Sequence, residues 1–299
     1  MRERNRREAS RVEPGTSVLT LLGGRERHLA NLLLGLLASE RLPEEVVVAV
    51  MGGDGFGPSP PEDLPFPVRT VRVPAGRDLP LARARNEAAR TSSGERLVFL
   101  DVDCIPGRGL VGRYAAGLRE RDALLMGEVR YLRPGVPGPS FTEKDLRAGS
   151  EPHPRRARPP ESGLRRADRH EEFWSLSFAV RRGTFFGSIG GFDESFTGYG
   201  GEDTDLAFAA RRAGVGLFWV GEAPAYHQHH PVHAPPVQHV EEIAHNARRF
   251  RDKWGVWPME GWLCAFRDLG LIEWSPGGED LCVLRPPTAA ELLRTRRQD

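Results

Sequence analysis

Two unbroken apolar runs open the chain, "TSVLTLL" (16–22) and the valine-rich "EEVVVAVM" (44–51). Neither alternates with polar residues, so each predicts a strand covered on both faces, as in a parallel α/β sheet. Between them, residues 26–40 carry apolar positions at helical spacing. "FPVRTVRVP" (66–74) alternates and predicts a third strand, "LPLARARNEAARTSSG" (79–94) a helix stopped at Ser-Ser-Gly, and "ERLVFLDVDCIP" (95–106) a buried strand ending in acids. This order predicts a doubly wound, Rossmann-related architecture, a mostly parallel central sheet flanked by helices.

Residues 133–170 are loaded with Pro, Gly and Arg and have almost no apolar period, which predicts a flexible loop inserted in the fold. Order returns at 173–196 as a strand, a helix and a Gly-Gly turn. "GYGGEDTDLAFAARRAG" (198–214) reads as a glycine loop entering a helix. A strand then runs into "HQHHPVH", a helix follows at about 239–253, and a weakly structured tail is expected from about 275.

Composition changes this picture little. The 299 residues are 39% hydrophobic and 28% charged, which suits a globular chain. A formal net charge of +1 does not point to nucleic acid as a partner. Cys104, Cys264 and Cys282 form no C-x-x-C pair and are odd in number, which fits a reducing compartment. No apolar stretch is long enough to span a bilayer, so a cytoplasmic protein is the expectation, with peripheral membrane contact left open.

Three places carry chemistry. Asp101 and Asp103 in "FLDVDC" end a strand; read as strand residues two apart, they share a side, where an Mg²⁺ or Mn²⁺ ion would offset their repulsion. A solvated strand end is the plainer alternative. His227, His229, His230 and His233 follow a strand and suit Mn²⁺ or Zn²⁺, although H-E-x-x-H is absent. Glu202, Asp203 and Asp205 crowd a helix start behind Gly198, Gly200 and Gly201. Dipole complementation accounts for one or two of these acids, and a general base for another. "GGDGFG" (52–57) is not G-x-G-x-x-G and runs into a Pro instead of a helix, and the absence of G-x-x-x-x-G-K-[ST] and G-x-S-x-G argues against P-loop and hydrolase readings.

Taken together, "ARN.A....G..LVFLDVDC", "GGFDESFTGYGGEDTDLAFAARRAG" and the following "YH" resemble the family 2 glycosyltransferases of the GT-A fold over roughly residues 16–235. Residues 190–214 are similar to the part shared by β-1,4-galactosyltransferases, polypeptide N-acetylgalactosaminyltransferases and chondroitin synthases. The resemblance implies a single catalytic domain over 15–270 between a disordered tail (1–14) and a C-terminal extension (271–299). Its nucleotide-binding half would span about 15–130 and its acceptor and metal half about 171–270.

It also implies roles. Asp101 and Asp103 become the D-x-D ligands of Mn²⁺ or Mg²⁺ on a donor diphosphate. His227 completes the metal site, with His229 and His230 as rivals. Asp54 contacts the nucleobase, and Arg85 or Asn86 grips the donor. Asp203 becomes the base, Glu202 its neighbour toward the acceptor, and Tyr199, Gly200 and Gly201 shape the sugar site. The activity implied is inverting transfer from a nucleotide-diphospho sugar, UDP-linked by preference, to a glycan, lipid-linked sugar or small-molecule hydroxyl. A degenerate sugar-nucleotide or glycan-binding module and a sugar-nucleotide nucleotidyltransferase are the rival readings. Departures from the family are "TLLGGRER" at the end of the first strand and Thr204 where some galactosyltransferases carry an acid.

Overall fold

The computed structural model describes residues 11–52, 63–76 and 78–297. The chain opens with strand β1 (Val12–Leu22), helix α1 (Glu26–Leu37) and strand β2 (Leu42–Met51). Strand β3 (Val68–Val73), helix α2 (Leu81–Thr91) and strand β4 (Arg96–Leu100) follow. These four strands pair in parallel, in the order β3-β2-β1-β4. The unbroken valine run has the reason its pattern implied. Val46, Val48 and Val50 pack beneath Leu29, Leu32, Leu33 and Leu36 of α1, while Val47, Ala49 and Met51 point the other way, toward Ala82, Ala84, Ala88 and Ala89 of α2. Burial on both faces removes the polar alternation that one wet face would impose.

Beyond β4 the chain turns at Asp101, Val102 and Asp103 before a short strand, β5 (Cys104–Pro106). Helix α3 (Leu110–Glu120) covers the face shared with α1, and β6 (Leu124–Met126) and β7 (Val129–Leu132) follow. The expected loop at 133–170 contains regular structure. Helix α4 (Glu143–Ala148) starts in a capping box between Thr142 and Asp145, and β8 (Ser150–Pro152) and β9 (Leu164–Arg166) are strands. Their side chains are mostly polar, so hydropathy gave no signal. Backbone pairing supplies the order instead, with Leu164, Arg165 and Arg166 opposite Val220, Trp219 and Phe218.

Strand β10 (Ser177–Arg181) runs antiparallel to both β4 and β6 and bridges them. Helix α5 (Glu202–Arg212) and strand β11 (Leu217–Val220) complete an eight-stranded sheet of order β3-β2-β1-β4-β10-β6-β11-β9. A second sheet, β5-β12-β7-β8, forms when β12 (Ala225–His227) inserts between β5 and β7. Its register sets His227 opposite Cys104, and so beside Asp103.

The expected tail is also ordered. After β13 (Val232–His233) come helices α6 (Val240–Trp254) and α7 (Glu260–Asp268), a hairpin of β14 (Ile272–Trp274) and β15 (Leu281–Val283), helix α8 (Ala289–Thr295) and a last strand, β16 (Arg296–Arg297), paired with β13. This layer has its own core, built on Val237, Ile243, Leu263, Phe266, Ile272 and Trp274. At the other end, residues 12–14 of the expected tail belong to β1, where Glu13 is buried and pairs with Arg41 and Arg119.

Asp205 joins this layer to the rest. Its carboxylate is buried and takes hydrogen bonds from Lys253 Nζ at 2.9 Å and Trp254 Nε1 at 2.7 Å. It is therefore a tie between α5 and α6, where the sequence suggested a complement to the helix dipole. Lys253→Met removes the cation and leaves the buried charge with one neutral donor. A loss of about 2–3 kcal/mol is expected, read as a lowered urea midpoint with an unchanged slope.

Candidate active site

The carboxyl ends of β1 and β4, the start of β5 and the loop after β12 converge on one crevice. Among the described residues, one group has the makings of a metal site: one ligand atom each from Asp103, His227 and His230, all within 4.8 Å of one another. Asp103 is buried and heavily partnered. His28 Nδ1 lies 2.5 Å from its Oδ1, and Arg25 reaches its Oδ2. Burial alone would push its carboxyl up. The hydrogen bonds of His230 and His28 and the charge of Arg25 outweigh that and hold it well below the usual carboxylate range. Burial lowers His227 to about 4, against the opposing pull of Asp103, so its ring is neutral at pH 7. Neutral imidazole and ionised carboxylate are the protonation states that metal binding requires.

Gln228 fixes this corner. Its backbone N–H donates to the Asp103 carbonyl at 2.7 Å, its Nε2 to the His28 carbonyl at 3.1 Å, and its Oε1 accepts from Asn31 at 2.7 Å. The loop after β12 is thereby tied to α1, the element that presents Arg25 and His28.

Asp101 stands outside the group of possible metal ligands. The strand ends at Leu100, and the Cys104 N–H closes a turn on the Asp101 carbonyl at 2.8 Å, so the two aspartates sit in a turn with different partners. Burial raises the Asp101 carboxyl, and Asp103 is near enough that its charge raises it further. Asp101 instead accepts from Arg85 Nη2 at 3.1 Å, and Arg85 Nη1 donates to Glu202 at 3.0 Å. Arg85 is buried and bridges the D-x-D turn to the acid pair at the head of α5.

Burial raises the Glu202 carboxyl, the charge of Asp203 raises it further, and Arg85 opposes both. Asp203 is also raised by burial, against hydrogen bonds from the backbone N–H groups of Thr204 and Ser175. Thr204 N donates to Asp203 Oδ1 at 2.7 Å. Oε2 of Glu202 is shut off from solvent and has no hydrogen-bond donor.

The glycines before these acids have a backbone reason. Gly198, Gly200 and Gly201 take φ of +69°, +92° and +94°, a region that side chains disfavour. Asn246 of α6 holds the loop by donating to the carbonyls of Thr197 and Gly200 at 2.9 and 2.8 Å. The loop presents Tyr199, whose ring stacks on His239 at 4.7 Å and faces Trp262 at 5.8 Å. Burial, then the charges of Glu202, Asp203 and Asp101, push its phenol up to about 12.

The structure thus gathers Asp101, Asp103, Arg85, Glu202, Asp203, Tyr199, His227 and His230 around one crevice. It separates Asp101 from the group that could hold a metal, and His229 lies outside that group as well. Asn86 spends its side chain on the turn before the glycine loop. It donates to the Phe192 carbonyl at 2.9 Å and to Glu194 at 2.8 Å, and accepts from Phe192 N at 2.9 Å. Asp54 lies outside the described residues. Arg25, His28 and Gln228 escaped sequence reasoning. The available signal was "GGRERH", which sits where a first βα turn meets the ligand end of the sheet.

The eight-stranded mixed sheet and its flanking helices resemble the fold of GT-A glycosyltransferase structures. Residues 163–233, from β9 through the histidine loop, match the family model described as the N-terminal domain of galactosyltransferase. Two validoxylamine A glucosyltransferases, from Streptomyces hygroscopicus subsp. jinggangensis (strain 5008) and subsp. limoneus, are each 28% identical over 173 residues. The match covers 50% of this chain but 40% and 38% of those proteins, so the chain spans less than half the length of the curated relatives it matches. Among solved structures, S. aureus TarS superposes with a TM-score of 0.52 at 14% identity, over 80% of this chain and 39% of that one. TarS 1-349 in complex with UDP-GlcNAc gives 0.51 at 15% identity, over 79% and 70%. No helix among the described residues is long and apolar enough to cross a membrane.

Proposed function

We propose that this chain is a metal-dependent inverting glycosyltransferase that moves a sugar from a UDP-linked donor to an acceptor hydroxyl. The observation that carries the proposal is the juxtaposition of Asp103, His227 and His230 with the Glu202–Asp203 pair, joined through Arg85 and Asp101. A UDP donor is supported by the fold neighbour that binds UDP-GlcNAc.

One carboxylate and two imidazoles suit Mn²⁺, and when bound the ion would offset charge on the leaving diphosphate. The chain's own residues do the rest. His28 fixes the orientation of the Asp103 carboxylate. Arg25, on an exposed stem at the head of α1, stands where a second phosphate charge can be met. Asp203 accepts the proton of the acceptor hydroxyl as that oxygen attacks the anomeric carbon. Attack from the side opposite the leaving group inverts that centre. The carboxylates stay anionic only above their raised pKa values, so burial makes them better bases at the expense of activity in acid.

Two measurements follow. Screening UDP- and other nucleotide-linked sugars for Mn²⁺-dependent release of nucleotide diphosphate names the donor. A chain that binds nucleotide sugars with no release would be a binding module, and the proposal would fall. The pH profile of turnover should fall on its acid side at a pH above the ordinary carboxylate range, because the base is lost as pH drops through its raised pKa. Glu202→Gln removes a neighbouring negative charge and should move that limb to lower pH. A limb that stays in place would dissociate Glu202 from the base.

A further inference from the structure

His230 is held from two sides. On one, Gln228 ties the loop to Asp103, His28 and Asn31. On the other, strand β13 begins at Val232 and pairs antiparallel with β16, Val232 opposite Arg297 and His233 opposite Arg296. The pairing continues where Ala234 N donates to the Thr295 carbonyl at 2.9 Å. His233 adds a side-chain tie, its Nδ1 donating to Thr295 Oγ1 at 3.0 Å. The Thr295 hydroxyl accepts there, because its own proton goes to the Glu291 carbonyl at 2.9 Å. His233, which the sequence offered as a metal ligand, is therefore a fastening and lies outside the triad.

The fastening belongs to the C-terminal layer. Thr295 is buried and ends α8, whose start is closed by a capping box between Thr288 and Glu291. Arg285 grips both oxygens of Glu291 at 2.8 Å and donates to the Leu269 carbonyl, just after α7, at 2.8 Å. Leu292 packs on the core of that layer. The side chains of Arg296 and Arg297 are exposed, so what β16 offers the histidine loop is its backbone. His227 has no need of it. β12 pairs on both edges, with β5 and β7, and that register alone sets His227 beside Asp103.

We infer that β16 and Thr295 are positioning elements of the metal site, which hold His230, and not His227, where an ion shared with Asp103 needs it. The inference rests on the metal-dependent reading and gives the C-terminal segment a part in it. A loop fastened at both ends has far fewer paths than one fastened at a single end, so less order must be imposed when the ion binds. Ligands held within about 0.5 Å of their working positions depend on such support. With β16 undone, His230 would charge the ordering of its loop against ion binding, while Asp103 and His227 stay in place.

Mn²⁺ titrated into the full chain is followed by the paramagnetic resonance of the free ion, and the imidazole nitrogens coupled to the bound ion are counted by pulsed resonance. The unaltered chain should show two imidazoles. The bond from Ala234 to Thr295 makes 232 and 297 the next hydrogen-bonded pair, so Arg297→Pro removes a donor from β16 without disturbing a buried side chain. Thr295→Val removes the hydroxyl and keeps the branched shape. Each should weaken Mn²⁺ binding about tenfold and leave one coupled imidazole. In a His227→Ala background the same changes should leave none. Thr295→Ser restores the hydroxyl and should keep both imidazoles and the affinity. Two imidazoles and unchanged Mn²⁺ affinity in both disrupting variants would overturn the inference, and a lowered urea midpoint beside them would make β16 a stabiliser of its own layer only. An unaltered chain that binds no Mn²⁺ would bring down the metal reading itself, and this inference with it.

Discussion

Asp203→Asn is expected to lower sugar transfer by about 10²–10⁴-fold, the usual worth of a positioned general base. Binding of UDP with Mn²⁺ should stay within about twofold. The substitution suits the question because asparagine keeps an oxygen where Asp203 Oδ1 accepts the Thr204 N–H, so the head of α5 retains its shape. What it loses is the ability to take a proton. Asp203 and Glu202 are adjacent and electrostatically linked, so the companion variant matters. Glu202 is bound to Arg85 through Oε1, which ties up one of its oxygens. Glu202→Gln should therefore cost less in turnover than Asp203→Asn and act partly through the acceptor KM. Unchanged transfer by Asp203→Asn would remove the assignment of the base, and the reverse ranking would pass the role to Glu202.

Asp103→Ala is expected to lower Mn²⁺ affinity by at least about a hundredfold, followed directly by the electron paramagnetic resonance of the free ion. Asp103 supplies the one carboxylate of the triad, and the imidazole nitrogens of His227 and His230 bring no negative charge to replace it. Removing it also leaves Arg25 and His28 facing each other without the anion between them, so UDP affinity should weaken less than Mn²⁺ affinity does. Asp101→Ala makes the contrasting control. Its carboxylate is held by Arg85 and stands outside the triad, so Mn²⁺ affinity should fall by a few fold at most. A larger loss for Asp101→Ala than for Asp103→Ala would show that the ion sits between the two aspartates, as the spacing in sequence suggested. Chelation of the ion should abolish turnover and leave the fold intact, since the triad lies at the ends of strands whose cores are separately packed.

The segment between the parallel strands and the glycosyltransferase motif held the least legible structure. In 133–170, Leu146 anchors a one-and-a-half-turn helix and Leu164 an edge strand, and single apolar residues produce no period. The histidine loop was legible as a source of candidate metal ligands, but not in which of its histidines approach Asp103. His230 joins the triad while His229, one residue away, does not. Adjacent side chains in a loop point in directions that only the backbone path decides, and that path is fixed by Gln228 bonding to Asp103, His28 and Asn31.

By itself the sequence determined the parallel half of the sheet, because apolar runs buried on both faces leave an unmistakable pattern within a few residues. It also determined the acid set at the head of α5, because three glycines with positive φ and a clustered acid pair are local features of adjacent residues. The tertiary structure alone decided the rest. The turn after Leu100 gives Asp101 and Asp103 different partners, the register of β12 on β5 brings His227 to Asp103, and Arg85 reaches across 117 residues of sequence to Glu202. Arg156, between two tryptophans 45 residues apart, belongs to the same group. Ion pairs and ring contacts act at a few ångströms in space, and the chain spacing that separates their members carries no trace of that distance.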